Sequence, residues 1–305
     1  MIDFKNVLEQ KTASVNEIIS SYLPRGDENT ERIVSAMNYS VQAGGKRIRP
    51  LLMMEAYACF SESQDMPDLL KRFMTAIECI HSYSLCHDDL PAMDNDRLRR
   101  GKASTWVRFD EAFGVLAGDA LLNYAFELIA SGLENCEDET LVRRGIKAFS
   151  ILSKKAGIYG MIGGQSLDVY SEKTPGFETG IGQIMFIHKN KTAALLEAAL
   201  MCGAVLSGAD ERCVQILEEA AENAGYAFQI RDDILDVTGD EARLGKPVGS
   251  DDKNNKQTYV TVYGLSRSQH DVEMFTDRSA ELLKELPGRT EFLYELILAL
   301  AGRVN

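Results

Sequence analysis

Apolar residues recur at intervals of three and four along most of the chain, with polar positions between them. That is the period of helices packed on one side. Leu70, Phe73, Met74, Ile77 and Ile80 form one stripe, Val142, Ile146, Phe149 and Leu152 a second, and Val214, Leu217, Ala221 and Ala224 a third. No alternating stretch is long enough to predict a strand. The run from Gly182 to Leu206 is apolar almost throughout, broken mainly by His188, Lys189, Asn190 and Lys191, as a buried helix would be if charge were needed partway along it. Breaks at Pro24–Asn29, Ser61–Pro67, Gly101–Ser104, Leu133–Glu139, Tyr170–Gly180 and Gly239–Asn255 divide the chain into roughly ten or more helices. Composition does not shift along the chain, so the expectation is one large all-α domain over residues 1–305.

With 45% apolar and 26% charged residues, a chain of 305 residues can bury a large core. Its formal charge of −13 opposes broad nucleic-acid binding and attraction to an anionic membrane, so any cationic cluster is out of character locally. The six cysteines, Cys59, Cys79, Cys86, Cys136, Cys202 and Cys213, form no CxxC pair and read as reduced core thiols. The opening segment MIDFKNVLEQ carries acids and no apolar signal region, and no long charge-free apolar window occurs. A cytoplasmic protein without membrane insertion is expected.

Two aspartate clusters stand out. Asp88-Asp89-Leu90-Pro91-Ala92-Met93-Asp94-Asn95-Asp96 follows a strongly periodic helix that Pro91 ends or distorts. Asp232-Asp233-Ile234-Leu235-Asp236 closes a helix starting near Asp210, on which Gln229, Asp232 or Asp233, Asp236 and Asp240 share nearly one face. Stacked carboxylates repel unless a cation sits between them, and Mg²⁺ suits such a site because it shares its shell with phosphates. Cations accompany the acids: Lys46, Arg47 and Arg49 after Gly44-Gly45, then Arg97, Arg99, Arg100 and Lys102, then Lys189 and Lys191, then Lys246. Carboxylates with guanidinium groups in one chain suit two diphosphates, one held through metal and one by direct bonds. His81, two turns before Asp88, is either a core histidine or a phosphate contact.

GGKRIRP, HDDLPAMDNDRLRRG, GGQSLD, HKNKTAAL, FQIRDDILD and LGKPVGSD occur here in the order found in trans-isoprenyl diphosphate synthases, which the chain resembles over roughly residues 30–265. The resemblance implies an all-α bundle around a deep cavity, a homodimer, and Mg²⁺, three ions per site, as cofactor. By position, Asp88 and Asp94 would bind Mg²⁺ on the allylic diphosphate, Asp232 would hold a further ion with Asp236 beside it, and Asp89 would lie nearby. The two acidic walls would face each other across the cavity. Arg99, Lys191 and Lys246 would contact the allylic diphosphate, with Gln229. Lys46, Arg49, His81 and Arg100 would hold isopentenyl diphosphate without metal. Thr192 and Gln229 would turn oxygens toward the allylic cation; Gln165 and Asp168 would lie near the cavity without an assigned step.

Four residues separate Asp89 from Asp94, and Tyr83 and Ser84 stand five and four places before Asp88, where the family sets its pocket floor. Tyr83 resembles the type that stops at fifteen carbons, and it could equally pack in a core. Asn95 resembles some twenty-carbon enzymes instead. The expectation is farnesyl diphosphate from isopentenyl and dimethylallyl or geranyl diphosphate. The rivals are a geranylgeranyl diphosphate synthase, a non-catalytic synthase subunit, a terpene cyclase, which has no use for GGKRIRP and Arg100, and a plain ion-binding module. Arg303, near the end, could reach over the isopentenyl site or belong to a frayed tail.

Overall fold

Helices dominate the computed structural model, which describes residues 3–63, 65–174, 176–177, 179–239 and 257–302. Lys246, Asp240 and Arg303 lie outside these residues, as does the whole of LGKPVGSD. The chain forms two compact units, one within Met1–Met54 and Ser63–Lys147, the other within Glu55–Glu62 and Ala148–Asn305.

In the first unit α1 (Phe4–Tyr22), α2 (Glu31–Gln42), the start of α3 (Ile48–Phe60), α4 (Asp68–Asp88), α5 (Thr105–Phe109), α6 (Glu111–Glu134) and the start of α7 (Glu139–Ala156) pack together. The expected stripe on α4 is buried, but so are Leu69, Glu78, Cys79, Ser82, Tyr83 and Cys86, so the helix is enclosed on nearly every side. Fully burying one such Leu, Ile or Phe side chain contributes about 1.5–3 kcal/mol. Its main neighbour is α6, whose Gly118 and Gly132 leave room for His87 and Arg72; a Cβ at either position would collide with those side chains.

Between α4 and α5 the chain makes a small hairpin, with Leu98 opposite Ala103 and Arg99 opposite Lys102. Its two central residues, Arg100 (φ 54°) and Gly101 (φ 75°), both have positive φ, the signature of a tight two-residue turn that matches strand twist. Two-residue strands are too short for an alternating pattern to announce them. Asn95 also adopts positive φ (54°), which asparagine tolerates better than most residues.

In the second unit α11 (Glu211–Thr238) is central, capped at its start by the Asp210 side chain, which accepts from Cys213 N at 2.8 Å. Around it pack α9 (Ile181–Ile187), α10 (Ala194–Ser207), α12 (Tyr259–Tyr263), α13 (Leu265–Lys284) and α14 (Glu291–Leu300), while α8 (Met161–Lys173) packs on α9 and on the turn that follows it. The apolar run that charge interrupts is α9 and α10 joined by one wide π-helical turn, His188–Ala193. Such turns often mark functional sites. Two glycines hold this one: a Cβ on Gly164 of α8 would strike the Lys191 backbone, and one on Gly225 of α11 would strike Ala193. Gly157–Gly160, a turn between α7 and α8, was not among the expected breaks.

Candidate active site

Asp88 ends α4 and Asp89 caps it, at the negative pole of the helix dipole where carboxylates are least at ease. The two then take different environments. Asp89 is buried and held by Arg99, whose Nε donates at 2.9 Å while Nη2 makes a second, closer bond. Burial raises the Asp89 pKa although Arg99 opposes the shift. Asp88 stays half-buried, and the loop folds back so that Asp94 N donates to Asp88 O at 2.9 Å, bringing exposed Asp94 beside it. Arg99 reaches Asp96 as well, at 3.3 Å, so the arginine expected on a diphosphate already bridges two acids.

Three turns of α4 carry the rest of this face. The largest charge effects on His81 come from four guanidinium groups, of Arg49, Arg100, Arg47 and Arg99; together with burial, the leading cause, they hold its pKa well below the usual value. Arg49 is pushed down to about 10, first by burial, with Glu78 opposing and Arg100 assisting. Its Nε is buried with no hydrogen-bond partner, and among the described residues Lys46, Arg49 and Arg100 form no ion pair. Arg100 lies over Gly45, its Nη1 2.6 Å from where a Cβ would stand, so glycine is required there. A histidine resisting protonation beside two guanidinium groups without ion pairs, those of Arg49 and Arg100, is chemistry that suits an anion.

Sequence reasoning gave Arg47 no role, unlike Lys46 and Arg49. It is only 6% exposed and ion-paired to Glu78 at 2.5 Å, with Glu78 2% exposed. Removing either partner would strand a buried charge, at a cost of about 3–5 kcal/mol. The available signal was Glu78 itself, a carboxylate inside an otherwise apolar helix.

Tyr83 is buried, its hydroxyl has no hydrogen-bond partner, and its pKa is pushed up to about 12 by burial and then by Asp88. Its ring meets His87 edge-on at 5.9 Å. Ser84 Oγ donates to His81 O at 3.0 Å.

In the second unit α11 presents Gln229, Asp232 and Asp236 at spacings of three and four, with Asp232 exposed and Asp236 half-buried. No basic residue offsets these acids in the last turn. Asp233 points elsewhere: it is buried, accepts from Tyr259 N at 3.0 Å and lies 3.6 Å from His188 Nε2. Asp232 and Asp233, alternatives for one face by spacing, thus separate by burial. The π turn delivers Thr192, whose Oγ1 donates to Gln229 Oε1 at 2.8 Å, and Lys191, whose Nζ donates to Asp168 Oδ2 at 2.5 Å. Lys189 pairs with Glu222 at 2.8 Å.

Among the described residues no group of three or more His, Cys, Asp or Glu forms a complete metal cage. Carboxylates at the negative ends of two helices, with few protein ligands apiece, fit Mg²⁺ shared with phosphate and water better than an all-protein site.

The polyprenyl synthetase family model matches residues 30–291. A farnesyl diphosphate synthase of Geobacillus stearothermophilus is 42% identical over 268 residues, 87% of this chain and 86% of that protein. A geranylgeranyl diphosphate synthase of Cyanophora paradoxa is 39% identical over 274 residues, 90% of this chain and 88% of its own. Among solved structures, a geranyltransferase from Helicobacter pylori complexed with magnesium and isoprenyl diphosphate superposes with a TM-score of 0.81 at 33% identity, covering 99% of this chain and 98% of that one.

Proposed function

The chain belongs to the polyprenyl synthetase family, and on that premise we propose that it is a short-chain trans-prenyltransferase joining isopentenyl diphosphate to dimethylallyl or geranyl diphosphate. One observation carries the reading. Asp88 ends α4 with Asp94 folded back beside it, and two turns earlier His81 lies under the charge of Arg49 and Arg100; we read the first as a metal-bearing phosphate grip and the second as a metal-free one. A cyclase with one diphosphate substrate has no need of the second grip, and an ion-binding module needs neither arginine.

In this account Asp88, Asp94, Asp232 and Asp236 would hold Mg²⁺, three ions in all, on the allylic diphosphate, where the metal would supply positive charge against the charge that builds as diphosphate departs. Lys191, Arg99 and Lys246 add direct positive charge on the same group. Thr192 donates its proton to Gln229, which leaves the Thr192 oxygen lone pairs free to face the allylic cation. Lys46, Arg49, His81 and Arg100 fix isopentenyl diphosphate, so that the double bond meets the cation before water does. The departed diphosphate then takes the proton that completes the new trans double bond. Both units serve as one catalytic domain, and the protein works as a cytoplasmic homodimer.

The proposed product is farnesyl diphosphate, with buried Tyr83 as the floor that stops growth at fifteen carbons and Ser84 beside it. Incubation with isopentenyl diphosphate, Mg²⁺ and dimethylallyl, geranyl or farnesyl diphosphate, followed by sizing of the released alcohols, tests this. A C15 end point is expected; steady conversion of farnesyl to C20 product would overturn it. Tyr83→Ala should lengthen the product, and an unchanged chain length would remove Tyr83 from the floor.

A further inference from the structure

Every edge of the Arg47 guanidinium is engaged, and by three different parts of the first unit. Nη1 pairs with Glu78 of α4 at 2.5 Å, Nε donates to Asn16 Oδ1 of α1 at 2.8 Å, and Nη2 donates to Val41 O near the end of α2 at 2.8 Å. The residue also holds a left-handed backbone (φ 51°), which a non-glycine residue keeps only where its surroundings impose it. Its carbonyl accepts from Leu51 N at 3.0 Å, at the start of the helix that carries Arg49. Glu78 stands one turn before His81 on α4, and Arg100 lies on Gly45, two residues before Arg47. One ion pair thus joins all the stretches that supply Lys46, Arg49, His81 and Arg100.

We infer that Arg47 and Glu78 are positioning residues for isopentenyl diphosphate: their buried pair sets the relative placement of the four groups that grip it, without touching it. The inference rests on the reading of those four groups as the isopentenyl diphosphate site. Stability alone is a poor reason for such a pair, because well-packed apolar side chains in place of a buried ion pair are often as stable or more so.

That property supplies the test. Replacing both residues, Arg47→Met with Glu78→Met, removes the pair while leaving the net charge of the site unchanged. The double variant should keep its helical circular dichroism and melting temperature. Its KM for isopentenyl diphosphate should rise about 10-fold or more, while its KM for geranyl diphosphate stays within about twofold. Glu78→Gln separates geometry from charge. If Glu78 acted only as a negative charge near the arginines, this variant would bind isopentenyl diphosphate more tightly; the pairing account requires weaker binding. Should the double variant fail to fold, Glu78→Asp, which keeps the charge and shortens its reach, must show the same split between the two KM values. An unchanged isopentenyl KM in a folded variant, or an equal rise for both substrates, would overturn the inference. Arg49→Met is the control for the underlying reading. If it leaves the isopentenyl KM unchanged, the subsite assignment fails and the inference with it. If it raises that KM and the folded double variant does not, the positioning role alone fails.

Discussion

Lys46, Arg49 and Arg100 of the first unit and the half-buried lysines of the second are kept in opposite states. In the first unit Arg49 and Arg100 act on His81 and, like Lys46, form no ion pair among the described residues; burial first, and this positive charge second, hold the imidazole pKa well below its usual value. Among the described residues of the second unit each half-buried lysine has an acid: Lys191 has Asp168, Lys189 has Glu222, and Lys155 has Glu197 and Glu218. An unpaired cluster stores electrostatic free energy that an arriving anion releases, which suits a substrate bound without metal. A paired lysine is fixed in place, and its net pull on an anion is smaller. The aspartates divide in parallel. Asp89 and Asp233 are buried and committed to local structure, whereas their neighbours Asp88 and Asp232 remain accessible at helix ends.

Substitutions that cross these divisions should differ in size. Asp88→Ala and Asp232→Ala should have the largest effect, lowering kcat by about 10²–10³-fold by removing stabilisation of the departing charge. Asp233→Asn should instead act mainly on the melting temperature, and a kcat loss equal to that of Asp232→Ala with no change in melting would break the division. Next come the unpaired cations: Arg49→Met and Arg100→Met each remove a charge-assisted contact and should raise the isopentenyl KM about 10-fold to 100-fold. Smaller again is Asp168→Asn, which loosens Lys191 and should raise the geranyl diphosphate KM about fivefold without touching the isopentenyl KM. Steady-state kinetics with each substrate varied in turn reads both.

The smallest effect concerns pH. His81 has its pKa lowered in the folded chain, so on acidification through about 6.5 the unfolded chain takes up a proton that the folded site refuses. The contribution of neutral His81 to stability is therefore present above that pH and lost below it. The melting temperature of the ligand-free protein should fall less steeply between about pH 7 and 5 in His81→Asn than in the unaltered chain. Equal slopes would mean that neither burial nor the arginines hold this ring's pKa down.

Periodicity carried the all-α class, the end of α4 near Pro91 and the start of α11 at Asp210, because apolar spacing and capping chemistry are local properties. Motif order carried the family and the outline of both acidic clusters. What spacing could not supply was which member of each acidic pair is buried. Asp88 and Asp89 differ by one position, and only tertiary partners, Arg99 for one pair and the Tyr259 amide with His188 for the other, separate them. Motif position also set Lys46 and Arg49 of GGKRIRP apart from Arg47 but gave Arg47 no task, which the fold supplies by turning it inward onto Glu78. The interruption at His188–Lys191 was legible as a need for charge in a buried run, but the π turn that meets it depends on Gly164 and Gly225 from other helices.

Calorimetric titration of isopentenyl diphosphate into the protein in the presence of EDTA tests most directly whether the first unit holds a metal-free diphosphate grip. Saturable binding that Mg²⁺ does not strengthen, weakened by Arg49→Met and by Arg100→Met, is the expected result. Binding that requires Mg²⁺, or that survives both substitutions together, would contradict it.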